Sequence, residues 1–198
     1  GQVTLTSTSI RTVSDEEGPT PGAGGQSYDI EQIFYRYIDN DALALTGGRL
    51  YIGIVTGFPD TGLPGDGNYA GDLFVAVGGS DYNIALSTST AAIDAARSGK
   101  IWSNDNSNWS LIDTSPPSGS SPYRLDEGQA PLPTDRTAQW DPSVEWGSLG
   151  PHNFMEVGFD IADFHEASLT NIKIHWTMEN GADFITVTDT NFISSAAP

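Results

Sequence analysis

Cysteine is absent from the chain, which excludes disulfide cross-links, thiolate zinc sites and cysteine nucleophiles together. Basic residues are scarce: 8 Lys and Arg face 26 Asp and Glu, a formal charge of −18 over 198 residues. The acids occupy both halves of the sequence, so no detachable acidic tail accounts for the excess. So few bases cannot neutralise a phosphate backbone, which argues against nucleic acid as a partner. An anionic membrane surface is disfavoured for the same reason. No apolar run is long enough to span a bilayer, and no membrane insertion is expected. The chain opens on Gly1 with neither Met nor a signal peptide, from which a processed, mature N-terminus is expected, an artificially shortened chain being the alternative.

Catalytic motifs are missing as well. The three histidines, His152, His165 and His175, stand in no zinc-ligand spacing. There is no G-x-S-x-G elbow and no glycine loop that would cradle phosphate. With 26 acids, some carboxylate pair lies close by chance, so carboxylate spacing does not single out a glycosidase. The chain is therefore expected not to be an enzyme. His175 alternates with Lys173 and reads as a surface or rim histidine. Lys173 itself, on a strand of Ile, Trp and Met, is either an isopeptide former or a lysine reaching to the sheet rim.

What is present is short, β-rich and heavily punctuated. With 22 Gly and 12 Pro, turn signals interrupt apolar stretches of strand length throughout. "GQVTLTSTSIRTV", residues 1–13, reads as a first strand. "SDEEGPTPGAGGQS", residues 14–27, holds no large apolar residue and reads as a linker. Residues 28–198 form the body. Strands are expected at Tyr28–Ile38, Leu50–Phe58, "LFVAVGG", "DYNIAL", "FMEVGFDI" and "NIKIHWTM", with "DFITVTD" closing. A short helix is expected over residues 88–98, and a hairpin joining "KIWSN" to "NWSLI". Residues 114–149, where the prolines crowd, are expected to be a long loop. The fold class that follows is all-β: an antiparallel β-sandwich, jelly-roll or immunoglobulin-like, with long loops. Trp176, Phe159, Phe74 and Ile54 are expected in its core. No internal repeat is visible.

The candidate binding chemistry is oxygen chemistry. Ca²⁺ takes about 6–8 hard oxygen ligands from carboxylates, Asn and turn carbonyls. Asp39, Asn40 and Asp41 sit in one turn, and Glu31 precedes them on the same strand. Asp72 follows a Gly/Asp loop, and Glu179 and Asp183 mark a third turn. Asp, Asn and Gly also make turns without any cation, so capped turns and a calcium site both remain readings of these residues. Asn108 begins an N-glycosylation sequon, and Thr114 and Ser115 open a Ser/Thr/Pro segment of O-glycosylated texture.

The phrases "YDIEQIFYRYIDND", "RLYIGIVTGFP", "GDLFVAVG", "FMEVGFDI" and "IHWTMENGADFITV" resemble, in order, those of bacterial exosortase-dependent (PEP-CTERM type) surface proteins. The chain also looks like subunits of extracellular glycosylated fibrils whose sandwich gives its N-terminal strand to the next protomer. The resemblance covers roughly residues 28–86 and 154–188. Its matching polar points are Asp39–Asp41, Asp72 and the turn Glu179–Asp183. That closing turn departs from the family, which has Cys-Gly-Asn-Asp there. The resemblance implies secretion, a cell-surface role and no enzymatic activity.

The function expected on these grounds is that of a structural fibril subunit, extracellular or at the cell surface. Residues 1–13 would be donated to the next copy, with Val3, Leu5 and Ile10 setting register; the other reading of the same strand is that it pairs with its own sandwich, and the resemblance is what favours donation. The partner is then the chain itself, with glycans and Ca²⁺ as accessory groups. The alternative is a secreted calcium-dependent carbohydrate-binding module, with Trp102, Trp109, Trp140 and Trp146 stacking on a polysaccharide.

Overall fold

The structure, a computed structural model, describes residues 10–14, 27, 29–39, 48–59, 71, 73–77, 80–84, 101–103, 109–111, 123–125, 143–149, 152–160, 171–178 and 183–190. The described residues hold twelve strands: β1 (Arg11–Ser14), β2 (Ile30–Asp39), β3 (Gly48–Thr56), β4 (Leu73–Val77), β5 (Ser80–Ile84), β6 (Ile101–Ser103), β7 (Trp109–Leu111), β8 (Tyr123–Leu125), β9 (Ser143–Leu149), β10 (His152–Asp160), β11 (Ile172–Thr177) and β12 (Phe184–Asp189). They contain no α-helix.

Every pairing is antiparallel. One sheet runs β1-β2-β3-β10-β9, a second runs β12-β11-β4-β5-β6, and β7-β8 make a separate ribbon. Alternation explains the two large sheets. In β3, every second residue from Gly48 to Thr56 is buried and the others are half-buried. This is the period-two signature of a strand with one face on a core. In β11, Ile172, Ile174 and Trp176 turn inward, and Met178 continues the series. These residues join Ile33, Leu50, Ile52, Ile54, Met155 and Val157 of the first sheet in one core cluster. The two sheets therefore share a single hydrophobic core, each buried aliphatic side chain contributing about 2 kcal/mol.

Two close approaches shape that core. Trp176 Nε1 donates 3.0 Å to the Gly71 carbonyl, which satisfies the indole N–H where no water reaches. A Cβ on Gly71 would collide with the Thr177 carbonyl oxygen, so the backbone ahead of β4 nests against β11 only because residue 71 lacks a side chain.

Several expectations change. The hairpin between β6 and β7 does not form: β6 pairs with β5, and β7 with β8. The stretch read as a loop over residues 114–149 contains β8 and β9, and β9 extends the first sheet beside β10. Phe74 is half-buried outside the core, opposite His175 across β4 and β11, with Lys173 Nζ 5.5 Å from its ring centroid. Lys173 is exposed and lies over an aromatic face. His175 is buried, unlike a rim histidine. Its Nδ1 is 2.7 Å from Thr186 Oγ1, and its ring lies against Phe184. The helix expected over residues 88–98 lies outside the described residues.

Candidate functional site

β1 lies at the edge of the first sheet, antiparallel to β2, with Arg11 opposite Tyr35, Thr12 opposite Phe34, Val13 opposite Ile33 and Ser14 opposite Gln32. Thr12 and Ser14 are exposed, whereas Arg11 and Val13 are half-buried. Val13 packs against the core cluster. Gln32 Nε2 donates 2.8 Å to Ser14 Oγ.

Arg11 reaches across to the second sheet. Its Nη1 donates to Asp189 Oδ2 at the end of β12, in a direct ion pair. The same carboxylate oxygen accepts the Tyr35 hydroxyl at 3.1 Å. The Asp189 side chain is only 9% exposed, against 35% for Arg11. A carboxylate so withdrawn from water requires charged or hydrogen-bonding partners, and Arg11 with Tyr35 supplies both. Burial first, then the charge of Asp189 and the hydrogen bond to it, raise the Tyr35 phenol above its ordinary 10.0, while Arg11 acts in the opposite sense.

At the other end of β12, a second aspartate spans the sheets. Asp183 Oδ2 accepts the Ile30 N–H at 2.7 Å and Oδ1 accepts the Phe184 N–H at 2.8 Å. Thr177 Oγ1 donates 2.6 Å to the Asp183 carbonyl. Thus β12 is stitched to β2 at both ends, by Asp183 at the start of β2 and by Asp189 beside Tyr35. The seam between the two sheets is closed by carboxylates.

Of the calcium candidates, Glu31, Asp39 and Asp183 are among the described residues. Asp183 spends both carboxylate oxygens on backbone N–H groups. Glu31 lies 3.3 Å from His152 Nδ1. Asp39 ends β2 opposite Gly48, so Glu31 and Asp39 stand near opposite ends of one strand, roughly 25 Å apart at the usual rise. One cation cannot bind both. Among the described residues, no group of three or more His, Asp or Glu is placed to hold a metal ion. Asn40, Asp41, Asp72 and Glu179 lie outside the described residues, as do Asn108, Thr114 and Ser115.

Among the register residues, Ile10 is 60% exposed, and Val3 and Leu5 lie outside the described residues. The tryptophans do not share an element: Trp102 is on β6, Trp109 on β7 and Trp146 on β9, and Trp140 is outside the described residues. Sequence reasoning missed Arg11, Val13, Tyr35 and Asp189. A faint signal existed in Arg11, the one base before Arg36, set within a Thr- and Val-rich strand.

No family model, curated protein or solved structure matches the chain.

Proposed function

We propose that this chain is a structural subunit of an extracellular, cell-surface fibril, a β-sandwich whose N-terminal strand can be exchanged between copies. One observation carries the reading. β1 is a four-residue edge strand, joined to β2 only through residues 15–29, a segment rich in Gly, Pro and acid. The β1–β2 register is set by the residues that face each other, not by the connection. A β1 from another copy therefore finds the same partners on β2 and loses no contact in the exchange.

The connection is long enough to permit it. Fifteen extended residues reach roughly 50 Å, and a domain of this size is on the order of 40 Å across. The closed arrangement, β1 on its own β2, is favoured in dilute solution, where the tether holds β1 at an effective concentration near the millimolar range. At the concentrations of a secreted matrix, exchange competes. Strand donation from one copy to the next is head-to-tail, does not close on itself, and generates a filament. The acidity keeps such subunits soluble before assembly. The resemblance to exosortase-dependent surface proteins, which rests on the quoted phrases, points to the same setting.

Because the native chain has no cysteine, a single engineered disulfide reads the arrangement directly. Thr12→Cys with Phe34→Cys places two thiols opposite each other across β1 and β2, a separation suited to a disulfide. Oxidised at high protein concentration, this variant is expected to give a ladder of covalent multimers on a non-reducing gel. A product confined to the internally cross-linked monomer at every concentration would overturn the proposal.

A further inference from the structure

We infer that the edge of β2, together with Asp189 of β12, is a strand-binding socket that selects an incoming segment by an arginine. Its ligand is an extended peptide of the pattern Arg-x-Val-Ser, presented in a fibril as residues 11–14 of a second copy. This deepens the proposed function and rests on it for the identity of the occupant.

Three contacts read the segment. The first is the ion pair from Arg11 to Asp189. Along β1 the half-buried positions are 11 and 13, so Arg11 occupies a place on the core side of an edge strand, where an apolar residue would be ordinary. A half-buried guanidinium there is favoured by a carboxylate that meets it, and Asp189 does so from the opposite sheet. The second contact is Val13, which lies opposite Ile33 and packs on the core. The third is the hydrogen bond from Gln32 to Ser14. Sliding the segment by one residue would put Thr12 in the arginine position and turn Arg11 and Val13 outward.

Selectivity follows from what a wrong segment leaves behind. Without the guanidinium, Asp189 keeps the Tyr35 hydroxyl but, 9% exposed, loses the charge that Arg11 brings to it. Losing one partner of such a pair costs more than forming the pair gains. The socket thereby rejects segments lacking a base at that position, which distinguishes the chain's own strand from other extended peptides.

Charge reversal provides the test, in the full-length Thr12→Cys/Phe34→Cys background. Arg11→Asp alone and Asp189→Arg alone each set like charges together, and the yield of inter-chain disulfide should fall about tenfold to a hundredfold. Mixing the two variants in equal amounts should restore it. In the mixture, each variant's first strand meets its opposite charge only on the other chain, so the restored products are mixed pairs, identifiable with a mass tag on one variant. If both single variants cross-link between chains as well as the parent does, the socket does not read arginine, although exchange stands. If the parent forms only internal disulfides, exchange falls. The socket is then judged on internal cross-linking, which either single reversal should lower and the double variant Arg11→Asp/Asp189→Arg should recover. A double variant that fails to recover it overturns the socket, including the case where the single variants fold poorly.

Discussion

Two aspartates of β12 do different work in the seam. Asp183 is a backbone clamp: both of its oxygens accept main-chain N–H groups, one of them from the other sheet. Asp183→Ala should strip two donors of their partner and destabilise the chain by about 1–3 kcal/mol in urea unfolding. Asp183→Asn, which keeps one carbonyl acceptor, should lose less. Asp189 is a charge clamp, and Tyr35 reports on it. The raised folded value of the Tyr35 phenol means the native state holds that proton more tightly than the unfolded chain does. Its contribution to stability is fully present below about pH 10, the unfolded value, and is lost as pH rises through the raised value. Subtracting the titration of Tyr35→Phe from that of the parent, followed by phenolate absorbance, should reveal one tyrosine titrating above the usual range. Asp189→Asn should bring it down, because the charge that opposes phenolate formation is gone.

Among the elements, β4 and β11 depend most on close approach. Gly71→Ala would drive a methyl group into the Thr177 carbonyl and displace the acceptor of the Trp176 indole. A loss of about 1–3 kcal/mol is expected, seen as a lower melting temperature with the far-UV signature of strands retained. Strands with strict alternation were legible in the sequence. β3, β4, β10 and β11 all lie within a few residues of their expected spans; in β3 and β4 burial on one face imposes a strict period of two, whereas β11 buries His175 and Thr177 as well. β9 was not legible: "SVEWGSL" mixes Gly, Ser and Glu with its apolar residues and follows a proline-rich stretch. Its strand conformation comes from hydrogen bonding to β10. The mistaken hairpin has the same origin. Asp105-Asn106 is a good turn sequence, yet β6 finds its partner in β5, since pairing is decided by which edge is available.

For the molecule as a whole, a charge of −18 implies repulsion within and between copies. Raising NaCl from about 0.02 to 0.3 M shortens the screening length to well under 10 Å, and the melting temperature should rise as long-range repulsion is suppressed. The Arg11–Asp189 pair, partly sheltered from solvent, should survive that change. A melting temperature that falls across the series would mean that attractive ion pairs outweigh the net repulsion. The same screening should speed multimer formation in the cysteine-pair variant, because like-charged subunits then approach more readily.

By itself the sequence determined that the chain is β-built and that Ile54 and Trp176 face the core, whereas Phe74 and His175 took places it did not predict. Periodicity and composition are local quantities, and local quantities suffice for those conclusions. Only the tertiary structure decided that Glu31 and Asp39 stand apart, that Asp183 clamps backbone, and that Arg11, Tyr35 and Asp189 meet. The last three residues come from β1, β2 and β12, with Arg11 and Asp189 178 positions apart along the chain. No local pattern records a contact across that distance. It exists because two sheets, each with one apolar face, bury those faces against each other and bring their edges together.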